Sequence, residues 1–226
     1  MPRPRTSPER RTPPAVTLIS QDDVVRAALE LTAEQGLEAL SIRRVATALG
    51  IAPMSVYKFV TAKDELVDAM LLHLLDRMEI PYTATTDWRE QIVRTMCAWR
   101  DLVEEQPGAV QMLATRRLPP GSAGLARLAE RVLSALDHGG ITGPRAARAF
   151  WQVFSTTVGH IVFARARAGL DDADQASARE AMHRTATERG FDHVADLATD
   201  LTRIENRGTL EDALRVLLTG LSTEHA

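Results

Sequence analysis

The chain has 226 residues, 45% hydrophobic and 25% charged, enough to bury a core in one or two compact domains. No apolar run approaches the roughly 18 residues that cross a bilayer, and the opening MPRPRTSPERR lacks the hydrophobic middle of a secretory signal, so the expectation is a cytoplasmic protein with no membrane partner. Cys97 is the sole cysteine, which excludes an internal disulfide framework and a Cys-rich zinc site.

The net charge of −3 argues against a nucleic-acid partner only as an average. Arg3, Arg5, Arg10 and Arg11 face Glu9 alone, and the stretch from Ser41 to Lys63 holds Arg43, Arg44, Lys58 and Lys63 without one acid. Acids gather elsewhere, at Asp22, Asp23, Glu30, Glu34 and Glu38 and at Asp171, Asp172 and Asp174.

Residues 1–19 are rich in Pro, Arg, Ser and Thr, a composition that cannot offset the entropy of ordering. They read as a disordered basic arm, with two uses open: a solvated leader, or an arm lying on DNA. From Ser20 the steps Val24, Ala27, Ala28, Leu31 and Thr32 predict a helix over 21–35, stopped by Gly36. Ser41 is a good N-cap for a short second helix with Ile42, Val45, Ala46 and Leu49 on one face, ended by Gly50. Pro53 suits the first turn of a third short helix continuing through Val60, and a fourth is expected from Asp64 to about Glu79, with Asp64 and Glu65 at its positive end.

No alternating strand pattern follows, so the fold class is all-α. Helices are predicted over 87–105, 108–114, 122–138, 144–168, 178–189, 191–201 and 209–222, with loops at 116–122 and 170–177. The expected organisation is the arm 1–19, a three-helix head 20–66 and a larger helical body 67–226.

Two short helices joined by a tight turn containing glycine describe a helix-turn-helix. Ala46 lets the helices cross closely, and Leu49, Ile51 and Val56 supply a shared interior. The outward side of the third helix then carries Pro53, Met54, Ser55, Tyr57 and Lys58. Ser55 suits a phosphate or a base edge, Tyr57 a phosphate, and Arg43 a bidentate pair with guanine. The competing reading of the same spacing is a helical hairpin in a core, its cations a solvated face.

Residues 20–66, and above all ALSIRRVATALGIAPMSVYKFVTAKDELVDAM (39–70), resemble the DNA-binding domain of the tetracycline-repressor (TetR) family of bacterial regulators. The resemblance implies double-stranded DNA contacts from Ser41, Arg43, Arg44, Pro53, Met54, Ser55, Tyr57, Lys58 and Lys63, with Arg43 and the Pro53–Ser55 edge reading bases and Tyr57, Lys58 and Lys63 on phosphates. Phe59 replaces a more polar residue of some members, leaving thymine contact and packing both open. A weaker resemblance to the family's ligand-binding domain runs to about 222. It implies a homodimer built from helices 144–168 and 209–222, a palindromic operator, and a small-molecule effector that releases a repressor from it. Leu210, Ala213, Leu214, Leu217 and Leu218 form the corresponding apolar stripe. Effector candidates are Thr95, Trp99, Met112, Thr115, Arg116, Gln152, Phe154, Ser155 and His160, with ordinary core packing the competing reading for Trp99 and Met112. Met112 and Glu79 stand where that family's histidines hold drug-bound magnesium, and a thioether is a poor ligand for so hard an ion. An apolar or aromatic effector is therefore expected.

His73, His138, His160, His183, His193 and His225 show no paired metal spacing, and the chain has no HExxH, GxSxG or Walker loop. No catalytic residue, metal or cofactor is expected. A helical interaction module and an unrecognised helical enzyme are the alternatives to a DNA-binding regulator.

Overall fold

The computed structural model describes residues 19–82, 85–167, 171–202 and 206–223, and every described element is helical. The arm 1–18 lies outside these residues. In chain order the helices are α1 (Gln21–Gln35), α2 (Ile42–Ala48), α3 (Pro53–Val56), α4 (Lys63–Arg77), α5 (Trp88–Glu104), α6 (Ala109–Thr115), α7 (Ala123–His138), α8 (Gly143–Arg167), α9 (Asp172–Arg189), α10 (Asp192–Asp196), α11 (Ala198–Thr202) and α12 (Asn206–Thr223). The all-α class is thus as expected.

Local chemistry sets the head. Ser20 caps α1 reciprocally: its hydroxyl accepts from the Asp23 amide at 3.2 Å, and the Asp23 carboxylate accepts from the Ser20 amide at 2.9 Å. The Ser20 hydroxyl, its amide and Arg26 together hold the Asp23 carboxyl at about 2. Val24, Ala28, Val45, Ala46, Val56 and Val60 fill the centre of the three-helix cluster, and Leu66, Met70 and Leu71 of α4 continue that core into the body. A 3₁₀ turn, Leu37–Ala39, which periodicity over three residues does not reveal, places Leu37 in the same core.

The body packs α5, α7 and α8 against one another, with α12 along α5 and α8 and with α4 and α6 joining the head. At the α4–α7 crossing the backbones nearly touch: a Cβ on Gly124 would lie 1.9 Å from the Leu75 carbonyl oxygen. Two packed main chains cannot give way as a flexible side chain does. Gly124→Ala is therefore expected to lower stability by about 1–3 kcal/mol or more, read as a drop in the urea midpoint; an unchanged midpoint would show that α7 slides freely on α4.

Three predicted boundaries move. The third helix ends at Val56 rather than Val60, because the chain turns through Tyr57–Phe59, with the Phe59 amide on the Val56 carbonyl at 2.9 Å, to return Val60 to the core. The segment 172–177 is helix, not loop: Asp171 accepts from the Asp174 amide at 2.7 Å and caps α9, with Asp172 and Asp174 at its positive end. The predicted helix 191–201 is two, broken at Leu197. Among the described residues no helix is long and apolar enough to cross a membrane.

Candidate nucleic-acid interface

The turn between α2 and α3 orients the outward surface. Gly50 has φ +66°, a backbone region open to glycine at little cost. The Gly50 amide donates to the Thr47 carbonyl at 3.1 Å and the Ile51 amide to the Ala46 carbonyl at 3.0 Å, closing α2 as α3 begins. Pro53 opens α3, where a missing N–H leaves nothing unpaired. Val56 is fully buried beneath, so the opposite side must face out: Met54 is 73% and Tyr57 46% exposed, Pro53 and Lys58 are exposed, and Ser55 is half-buried.

Arg43 of α2 and Lys63 at the start of α4 are also exposed. Among the described residues Arg43, Lys58 and Lys63 have no ion-pair partner. Two other predicted contacts are engaged within the protein. The Ser41 hydroxyl accepts from the Arg44 amide at 3.3 Å and caps α2, while the Arg44 guanidinium donates to the Ala39 carbonyl at 3.1 Å and to the Gln35 side-chain oxygen. Arg44 therefore ties α2 to the end of α1. Phe59 is half-buried against the core, which favours packing for it.

The nine effector candidates do not gather around one space. Trp99 is 2% exposed, with its ring 5.3 Å from that of Phe154; Met112 and Thr95 are buried, and the Thr95 hydroxyl donates to the Gln91 carbonyl at 2.7 Å. Gln152 and Ser155 are exposed on α8, His160 is half-buried there, and Thr115 is exposed at the end of α6. The apolar periodicity of α8 runs around most of the helix, so sequence alone could not tell which side turns outward. Several grooves are lined by other residues. One of about 510 Å³ lies between the end of α1, the α5–α6 turn and α8, lined by Leu37, Gly108, Val110, Ile161 and Ala164 among others.

Arg116, also an effector candidate, is engaged with α4 in this structure. Its guanidinium grips that helix: Nε meets Asp68 Oδ1 at 2.7 Å, Nη2 meets Asp68 Oδ2 at 2.8 Å, and Nη1 meets Asp64 Oδ2 at 3.2 Å. The Arg116 hydrogen bonds hold the Asp68 carboxyl below the usual carboxylate range and raise the guanidinium's own pKa. The sequence carries a signal for this, the acids Asp64 and Asp68 at i and i+4 on α4, of which only Asp64 figures in the sequence reading, as helix-end charge.

A short exposed helix with Lys58 in the turn just beyond it, locked by a glycine turn to a helix that carries Arg43, defines a helix-turn-helix regulator. Residues 24–70 match the family described as "Bacterial regulatory proteins, tetR family", and 80–225 match "Tetracyclin repressor-like, C-terminal domain". The chain belongs to the TetR family. It is 32% identical over 180 residues to the HTH-type transcriptional repressor DrrR1 of Streptomyces coeruleorubidus, covering 74% of this chain and 63% of that one. It is 33% identical over 136 residues to an HTH-type transcriptional regulator of Saccharopolyspora erythraea, covering 60% of this chain and 56% of that one. The matches thus span rather more than half the length of these relatives. The TetR family protein ActR of Streptomyces coelicolor, in complex with actinorhodin, shares the fold with a TM-score of 0.77 at 24% identity, covering 91% of this chain and 99% of that one.

Proposed function

We propose that the chain is a homodimeric transcriptional repressor, cytoplasmic and without enzymatic activity, that holds a palindromic duplex operator through two copies of α3 and releases it when a small apolar or aromatic effector enters the body. The observation that carries this reading is the outward face of Arg43, Met54, Tyr57, Lys58 and Lys63, all from a stretch, 41–63, without an acid, on elements fixed from below by Val45, Ala46 and Val56. Pro53, Met54 and Ser55 are the base-reading edge, with Tyr57, Lys58 and Lys63 on phosphates.

Pairing is supported by a second exposed face. Exposed Gln152, Ser155 and Phe163 and half-buried Gly159 recur at helical spacing along α8, and exposed Ala213, Val216 and Gly220 along the adjoining α12, with Phe163 70% and Val216 75% exposed. Exposed Phe163 and Val216 among small and polar side chains on packed neighbouring helices suit a self-complementary interface. An effector seat in the body is supported by the aromatic cluster of Trp99, Phe150 and Phe154 and by the actinorhodin that ActR, of the same fold, holds.

The test is selection of duplexes from a random pool, followed by titration at rising salt. A regulator enriches an inverted repeat and binds it with steep salt dependence. Lys58→Ala should weaken binding evenly across sequences and lower the salt slope by about one, and Tyr57→Phe should weaken it without changing oligomeric mass. A folded protein that enriches no sequence is an interaction module instead.

A further inference from the structure

We propose that Arg116 is a positioning residue for DNA binding: it clasps the first turns of α4 and thereby sets the angle at which the body holds the recognition helix α3. The inference rests on the DNA-binding reading above.

Arg116 belongs to the segment between α6 and α7, and both ends of that segment are fixed to the same helix. At one end the guanidinium forks onto both carboxylate oxygens of Asp68 and reaches Asp64, with an added hydrogen bond from Nη2 to the Asp64 carbonyl at 3.3 Å. At the other the Asp76 carboxylate accepts from the Ser122 hydroxyl at 2.7 Å and the Gly124 amide at 2.9 Å. Asp68 and Asp76 are eight residues apart, about 12 Å along a helix axis, so the segment braces α4 at two levels.

The geometry is of the strong kind. A two-pronged guanidinium–carboxylate pair fixes direction as well as distance, which a lysine ammonium cannot do. The Arg116 side chain is only 22% exposed, so water screens it less than it screens the open pairs of α1. Six residues separate α3 from α4, and two valines flanking the turn, Val56 and Val60, are locked in the head core. A tilt at the start of α4 has little slack to absorb it before α3. Lys63, the first residue of α4, is itself on the cationic face. The Gln111 amide adds a parallel link from α6 to Glu38 at 2.7 Å.

The experiment is a double-mutant cycle on the full chain, using the duplex recovered by selection. Arg116→Gln and Asp68→Asn should each weaken binding about 3- to 10-fold, the pair together no more than either alone, and the exchanged pair Arg116→Asp with Asp68→Arg should regain most of the loss. Arg116→Lys should regain only part. Multiplying losses in the double variant, or an exchanged pair as weak as the single variants, overturns the proposal. Dimer mass and thermal midpoint, taken on every variant, separate a lost fold from a lost angle. If the wild type selects no duplex, the DNA reading has failed and the clasp is judged by amide exchange. Faster exchange over residues 57–70 in Arg116→Gln, reversed in the exchanged pair, supports it; unchanged exchange overturns it.

Discussion

Val216→Glu is expected to abolish pairing of two chains and, with it, tight operator binding. Val216 lies between Ala213 and Gly220 on the outward side of α12, whereas Leu210, Leu214 and Leu218 on its inward side are fully buried. The substitution therefore leaves the core of the chain untouched and puts a carboxylate, twice over, into the proposed seam. A charge taken from water without a partner costs far more than a lost apolar contact. Joining two readers of one palindrome makes the second contact intramolecular, so losing the partner should weaken operator binding by about 100-fold or more. Sedimentation should show a monomer with the helical content and thermal midpoint of the wild type. A dimer of normal affinity would place the seam elsewhere.

The second large effect belongs to the body. Trp99 packs on Phe154, which meets Phe150 at 5.7 Å and Trp151 edge-on at the same distance. Removing so large a buried ring leaves a hole that the surrounding helices cannot close, and Trp99→Ala should cost about 3–5 kcal/mol in urea unfolding, a substantial share of what an ordinary domain possesses. Trp99→Phe should cost much less. An apolar hole of this kind accepts an aromatic guest, so millimolar indole should raise the midpoint of Trp99→Ala and leave that of the wild type nearly unchanged. Failure of indole to stabilise the variant would mean that the body collapses around the gap.

What the sequence disclosed was local. Ser41 as a cap, Gly36 and Gly50 as stops, and Pro53 as a helix opener are each decided by a residue's own backbone preference and its neighbours within four positions. The head could therefore be read almost whole. Failures of reading begin where the answer depends on distant parts of the chain. Arg116 and Asp68 are 48 residues apart, and nothing in the run LATRRLPP indicates which partner the guanidinium finds. Gln152 and Ser155 share a helix with Phe154, but which of them turns inward is settled by α5 and α12, not by α8. The acids at 171–174 misled in another way: charge density suggested a solvated loop, yet one aspartate caps a helix and its neighbours complement the dipole.

The central claim is that two copies of α3, each flanked by the cations Arg43, Lys58 and Lys63, are presented to one duplex by a shared body. Hydroxyl-radical footprinting of the selected operator, combined with the mass of the complex, tests it most directly. Two chains per duplex should protect two half-sites whose centres lie on one face, about 34 Å apart or a multiple of that. A single protected patch, or one chain per duplex at saturation, would contradict the account.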